Sequence, residues 1–344
     1  MHKKILFVGL GGAGQRHLRI LNKLDGKNFK FFCYRKKNKT GLLNDKLKLF
    51  KGDLVNKFKI TKINNLKNTY SKNFDFAVIS NPTKFHAETA YNYLKSGISV
   101  FIEKPLISSE KLFIKTVKIL KKNKLVFYLG YQRRFSEIII EVNNYLNKIN
   151  VNQEVIKCNV NVNSYVPSWH NYENYRDLYA CNKNLGGGAL LTESHEIDLI
   201  IMFFGVPREL FCKKFTDKRY KLDVDTRYIL KLYYENFEAI FNINMFNKNQ
   251  KREINIKTTN SLIKIDLHKN SLTVKDKNKI KDKKFSNNKN NDQFINQMKY
   301  FLKLKYKDNT INVLNAYQNN LILNAAIKSD RLNKRIKIYP KKIF

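Results

Sequence analysis

Gly9, Gly11 and Gly14 have the spacing of a phosphate-binding turn, within Lys4-Ile5-Leu6-Phe7-Val8-Gly9-Leu10-Gly11-Gly12-Ala13-Gly14. The first glycine permits a tight turn and the second lets the backbone approach a pyrophosphate. The third lets the next helix pack closely on the strand, so that the helix N-terminus faces the phosphates. Such a turn holds a dinucleotide when a strand precedes it and a helix follows. Here apolar, β-prone residues run into the glycines, and Leu18, Leu21 and Leu24 mark a helical face after them. Gly12 and Ala13 complete the candidate cofactor-binding turn. An acidic residue about 20 positions further on would bond a ribose 2′-hydroxyl. This chain has Tyr34-Arg35-Lys36-Lys37 there, and no carboxylate between Asp25 and Asp45. Arg35 is of the type that forks onto a 2′-phosphate, so the sequence favours NADP over NAD.

The elements that must hold these residues read as alternating strands and helices. Strand-like runs at 29–34, 74–80, 99–103 and 125–129 are separated by helical patterns. One of these carries Ala87, Ala90 and Leu94 after Pro82, and another spans 110–123. Short apolar strands with helical crossovers predict an α/β fold, a doubly wound (Rossmann) parallel sheet over residues 1–130. Beyond residue 150 the pattern changes to period-two runs at 154–162, 209–215, 228–234, 239–244 and 253–256. These predict a mostly antiparallel sheet in a second domain over 131–344. The lysine- and asparagine-rich stretch 269–292 reads as exposed hairpins and loops. Helical patterns at 294–304 and 313–329 are expected to cover one sheet face.

At 344 residues, with 43% hydrophobic and 13% aromatic side chains, the chain has room for two domains and a substantial core. Its formal charge of +38 comes mostly from lysines dispersed along the whole length among asparagines. A nucleic-acid binder concentrates its charge on one face or arm, so no nucleic-acid partner is expected. A field of this sign still favours anionic small molecules in a cleft. The apolar opening is shorter than the roughly 7–15 residues of a signal peptide. No run approaches the ~20 apolar residues of a membrane span, so a cytoplasmic protein without a membrane partner is expected. Cys33, Cys158, Cys181 and Cys212 are widely scattered, which predicts buried, reduced thiols and no metal site.

Five stretches occur in a telling order: Gly9 to His17, Ser80-Asn81-Pro82-Thr83-Lys84-Phe85-His86, Glu103-Lys104-Pro105, Gly130-Tyr131-Gln132-Arg133-Arg134-Phe135, and Gly186 to Asp198. This ordered set resembles the Gfo/Idh/MocA oxidoreductases, named for glucose-fructose oxidoreductase and inositol dehydrogenase. The resemblance covers residues 1 to about 205 and is looser beyond. It implies a Rossmann domain followed by a C-terminal α+β domain whose open-faced, mostly antiparallel sheet supplies substrate and subunit contacts. A homodimer or homotetramer is expected. The resemblance also implies NAD(P)-dependent hydride transfer to or from a carbohydrate hydroxyl or ketone.

Lys104 matches the family's catalytic lysine, whose ammonium orients the reacting oxygen and stabilises charge there. His195 is the natural proton acceptor. Asp198, one helical turn on, either orients the ring or belongs to the helix start. Asn81, Pro82 and His86 are expected along the nicotinamide side, with Glu103 bordering it beside Lys104, and Pro105 in a rigid, cis turn. Candidate substrate contacts are Gln132 and Arg134, past a strand end, and Trp169 and Arg176, in an aromatic stretch suited to a sugar face and to an anionic sugar. The region 165–198 looks like the branch associated with bacterial surface carbohydrates, which implies an amino, acidic or nucleotide-linked sugar. The sequence departs from its relatives at one place. Many carry an aspartate three or four positions before the histidine, where this chain has Leu191 and Thr192, followed by Glu193. Either Glu193 takes over, or the histidine works without that carboxylate, or activity is weakened. The alternative is a non-catalytic dinucleotide-binding sensor or scaffold of the same fold.

Overall fold

The computed structural model describes residues 2–36, 41–45, 47–71, 73–149, 154–276, 279–285 and 291–343. Short apolar runs form β1 (Lys3–Val8), β2 (Phe29–Tyr34), β3 (Thr61–Ile63), β4 (Phe76–Ile79), β5 (Ser99–Glu103) and β6 (Phe127–Gly130). Their connections carry the helices α1 (Gly12–Asp25), α2 (Leu54–Phe58), α3 (Lys67–Tyr70), α4 (His86–Lys95) and α5 (Glu110–Asn123). The strands pair in parallel in the order β3-β2-β1-β4-β5-β6. This is the doubly wound dinucleotide-binding order, with its reversal of direction between β1 and β4. Successive residues Ile5, Leu6 and Phe7, and Ala77, Val78 and Ile79, are all fully buried. Both faces of the sheet are therefore covered, as a parallel sheet requires.

The second half contains α6 (Glu137–Leu146), β7 (Val155–Tyr165), α7 (Ala189–Thr192), α8 (His195–Phe204), β8 (Glu209–Phe215), β9 (Arg227–Tyr233), β10 (Glu238–Asn244), β11 (Phe246–Thr258), β12 (Ser261–Asp266), β13 (Ser271–Asp276) and β14 (Lys279–Lys284). It closes with α9 (Asp292–Lys303), α10 (Asn309–Leu332) and β15 (Ile336–Lys337). The sheet runs β14-β13-β12-β11-β7-β10-β9-β8-β15 and is antiparallel except where β7 and β10 pair. One face is apolar: Cys158, Val160 and Val162 of β7 pack in one core with Ile197, Leu199 and Ile200 of α8. The alternate positions Asn159, Asn161 and Asn163 point to the other, partly exposed face, so the sheet is open on that side.

The C-terminal helices depart from their expected place over a single sheet. Met298 and Phe301 of α9 pack with Phe76, Phe101 and Tyr128 of the first sheet. Val313, Ala316 and Tyr317 of α10 join the first domain's core, while Ile322, Leu323 and Ala326 join the second's. Asn309 fixes the start of α10: its Oδ1 accepts from the Phe127 amide at 3.0 Å and its Nδ2 donates to the Leu125 carbonyl at 3.0 Å. A helix of 24 residues is long enough to lie across both cores, and its buried positions along the whole length hold the two domains together. All four cysteines are buried and unpaired. Among the described residues no helix is long and apolar enough to cross a membrane.

Candidate active site

A parallel sheet brings the carboxyl ends of its strands to one edge, and this is where the sequence motifs fall. The glycine turn follows β1, Arg35 follows β2, Ser80-Asn81-Pro82 follows β4, Lys104 follows β5 and the 131–134 segment follows β6. Gly9 has φ +91°, and a Cβ there would lie 2.8 Å from the Ser80 carbonyl oxygen. A Cβ on Gly14 would lie 2.6 Å from both the Gly9 oxygen and Ser80 Oγ. Gly11 meets nothing within 4 Å, which leaves open space in front of α1. That helix has no side-chain cap and no acidic residue in its first turn, so its amides and positive dipole end face the space. The cradle fits a dinucleotide diphosphate. The second domain closes over it: the Tyr172 hydroxyl lies 3.7 Å from the position a Gly12 Cβ would take.

The Gly9 amide donates to the Tyr34 carbonyl at 3.0 Å, which sets the end of β2, and with it half-buried Arg35, beside the turn. Lys36 next to it is exposed, and Lys37 lies outside the described residues. Glu103 is held by two contacts: His17 Nε2 at 2.6 Å from Oε1, and the Lys104 amide donating to Oε2 at 3.2 Å. Burial pushes this carboxyl up, but His17, Lys104 and His86 outweigh it and hold the group below its ordinary value. The Lys104–Pro105 peptide is cis.

Lys104 reaches across to the second domain, where Nζ donates to the Thr192 carbonyl at 2.7 Å. Burial lowers its pKa, with Glu193 and Glu103 acting in the opposite sense. Thr192, which with Leu191 occupies the position where the family resemblance implies an aspartate, offers the lysine a backbone oxygen. Glu193 beside it accepts from Ser164 Oγ at 2.6 Å and from Arg252 Nη2 at 2.7 Å. Arg252 Nη1 donates to Glu196 at 2.6 Å. Burial alone would raise the Glu193 pKa, but Arg252, Ser164 and Lys104 bring it down to about 2. His195 is nearly buried, with Nδ1 lacking a hydrogen-bond partner and the Tyr131 ring edge-on at 5.9 Å. Burial, then the charges of Lys104, Arg133 and Arg252, hold its pKa well below the ordinary 6.5. Lys104, Arg133, Trp169, Glu193, His195 and Arg252 line one cleft of about 290 Å³.

Several expected residues lie elsewhere. Asp198 does not orient the imidazole: Arg134 binds it through two bonds of 2.8 and 2.7 Å, and Asn319 donates to it at 2.8 Å. Arg134 and Asp198 therefore satisfy each other as a structural pair and neither is free for substrate. Gln132 is buried outside the cleft, and Arg176 is exposed with its guanidinium 4.7 Å over the Tyr175 ring. His86 is 1% exposed, and its two ring nitrogens lie 2.9 and 2.7 Å from the Pro105 and Asn81 carbonyls. It ties two strand-end turns together. Asn81 donates to Thr89 Oγ1 at 3.0 Å and shares the glycine turn's edge.

Arg252, Ser164, Arg133 and Tyr179 were not singled out in the sequence, yet all four line the cleft. For Arg252 a signal exists. It lies two residues before Ile254 and four before Ile256 on β11, in phase with side chains that are fully buried. An arginine on an inward face requires carboxylates there.

Residues 3–131 match the model of the oxidoreductase family with an NAD-binding Rossmann fold, Gfo/Idh/MocA. The N-terminal domain is similar to that of the Gfo/Idh/MocA oxidoreductases. No curated protein sequence matches the chain. Solved structures share its whole architecture. GenD2 from gentamicin A biosynthesis, in complex with NAD, is 15% identical with a TM-score of 0.79, covering 98% of this chain and 97% of that one. Levoglucosan dehydrogenase with NADH and levoglucosan is 12% identical, with a TM-score of 0.78 and coverage of 98% and 100%. The WlbA dehydrogenase from Bordetella pertussis, with NADH and UDP-GlcNAcA, is 16% identical, with a TM-score of 0.75 and coverage of 99% and 100%. At these identities the likeness establishes the two-domain fold, and the chemistry rests on the residues of the first domain and the cleft beside it.

Proposed function

We propose that this chain is an NAD(P)-dependent oxidoreductase moving a hydride between nicotinamide and a carbohydrate hydroxyl or ketone. The observation that carries this reading is the meeting of Lys104 and His195 in one cleft, at the same sheet edge as an open glycine cradle. A dinucleotide bound at Gly9, Gly11, Gly12, Ala13 and Gly14 supplies the hydride acceptor or donor. Arg35 beside the turn supports NADP as the preferred form, through a fork onto the 2′-phosphate. Lys104 has N–H groups beyond the one held by Thr192, and these can meet the reacting oxygen and stabilise charge on it.

His195 is unprotonated at neutral pH, because burial and three nearby cations oppose the imidazolium, and it takes the hydroxyl proton. Among the described residues no carboxylate hydrogen-bonds to its ring, so the geometry supports a histidine working without the carboxylate seen in relatives. Trp169 offers an apolar face to a sugar ring.

Residues 1–130 would hold the cofactor and 131–344 most of the substrate wall, in a homodimer or homotetramer assembled through the open sheet. Free thiols at all four cysteines suit the reducing cytoplasm. Lys104→Met is expected to abolish turnover while NADPH affinity stays within about twofold, since Lys104 acts on the substrate oxygen and not on the phosphates. Unchanged turnover would remove its assigned role. Thr192 in the aspartate position favours one rival, a dinucleotide-binding sensor or scaffold; reduction of NADP by any member of a sugar panel excludes it.

A further inference from the structure

One of the cations lining the cleft lacks a hydrogen-bonded carboxylate. Lys104, Arg133 and Arg252 line the cleft, and the carboxylates near them are Glu193 in the wall, Glu196 behind and Glu103 next to Lys104. Arg252 takes Glu193 and Glu196, at 2.7 and 2.6 Å. Arg133 is left over. Its Nε is 3.7 Å from Glu196, beyond hydrogen-bond distance, and is buried with no hydrogen-bond partner. Burial and the neighbouring Arg252 push its pKa down to about 10, as expected of a cation in unfavourable surroundings. Exposed His268 and half-exposed Lys251 stand at the rim and add no negative charge. A largely buried guanidinium without a hydrogen-bonded carboxylate is costly to a fold, and its planar fork matches a carboxylate or phosphate.

We propose that the substrate is an anionic sugar whose carboxylate or phosphate group is bound by the Arg133 guanidinium, with the ring against Trp169. The inference rests on the oxidoreductase reading above and narrows its substrate class. A neutral sugar would seal the Arg133 guanidinium away from water without a hydrogen-bonded anion, whereas an anionic one supplies that partner. The same anion faces His195, so it offsets the three cations that oppose proton uptake by that ring. Arg134, next in sequence, cannot do this, because Asp198 already holds it.

Trp169 is the only tryptophan in the chain and it lines the cleft, so its emission reports binding there directly. The test is a fluorescence titration at constant ionic strength with D-glucuronate, inorganic phosphate and D-glucose. Saturable responses to one or both anions are expected, with none to glucose. A response to glucuronate alone assigns the site to a sugar carboxylate, and to phosphate alone, to a phosphoryl group. Arg133→Gln should weaken the anion by about tenfold or more, and Arg133→Lys, which keeps the charge but loses the fork, by less. The melting temperature of Arg133→Gln should stay level or rise, whereas a purely structural arginine would lower it.

No saturable response to either anion, an undiminished response in Arg133→Gln, or a clear loss of its thermal stability would overturn the proposal. NADPH titration of the same samples separates the two levels. Intact NADPH binding without an anion response refutes the substrate class alone, and loss of NADPH binding by the parent protein refutes the oxidoreductase reading.

Discussion

Replacing Arg252 with methionine tests the electrostatic frame of the site. The change keeps much of the side-chain length but leaves Glu193 and Glu196, 4% and 0% exposed, without the cation that holds both. Removing one partner of a buried pair costs about 3–5 kcal/mol. The acid constant gives a similar size. Holding Glu193 at about 2, against an ordinary 4.5, is equivalent to about 3 kcal/mol at 1.36 kcal/mol per tenfold change. Ser164 and Lys104 add to that figure, and burial of the carboxylate subtracts from it. At roughly 2–4 °C per kcal/mol, a loss of about 3 kcal/mol lowers Tm by roughly 6–12 °C at neutral pH.

The sign with pH follows from the depressed carboxyl. Its stabilisation is fully present above the unfolded value of 4.5 and disappears as pH falls towards 2. The deficit of Arg252→Met should therefore be smaller at about pH 4 than at about pH 7. Thermal melts followed by circular dichroism at both pH values measure it. A Tm loss below about 2 °C at neutral pH, or a deficit independent of pH, would refute the reasoning.

Three further outcomes follow from the geometry. Gly14→Ala drives a Cβ to within 2.6 Å of the Gly9 oxygen, so NADPH affinity should fall by about tenfold or more in a fluorescence titration. Unchanged affinity would place the cofactor elsewhere. Arg35→Asp should reverse the cofactor preference, with the ratio of NADPH to NADH affinities moving by about tenfold or more; an unmoved ratio would show that Arg35 does not touch the 2′-phosphate.

His195, held well below 6.5, predicts a kcat/KM profile for oxidation that shows no inflection near 6.5 and declines only at lower pH. Because the unfolded imidazole takes up a proton below 6.5 and the folded one does not, stability should also fall as the pH drops below that value. A rate profile breaking at 6.5 would remove His195 from its role.

The first domain was legible in the sequence because its function depends on local pattern. The glycine spacing, the strand before it and the helix after it are all contiguous, and Gly9 and Gly14 occupy positions where a Cβ would strike the backbone or Ser80. Lys104 and His195 each stand at the boundary of an element, and the fold brings both to one cleft. What the sequence did not reveal depends on pairings between distant positions. Arg134 and Asp198 are 64 residues apart, and only the fold shows that each satisfies the other. For the same reason nothing local reveals that two carbonyls from separate turns enclose the His86 ring. Arg252 lies 59 residues from Glu193, and the polar run before it on β11 masks its phase with Ile254 and Ile256. Helices α9 and α10 were read as covering one sheet because amphipathic periodicity marks a buried face without saying which core buries it.

The central claim, that this fold carries a dinucleotide for hydride transfer, is tested most directly by titrating the purified protein with NADPH and NADH in parallel and following nucleotide fluorescence. The account predicts saturable binding of both at the glycine turn, tighter for NADPH. Binding of neither nucleotide would contradict it.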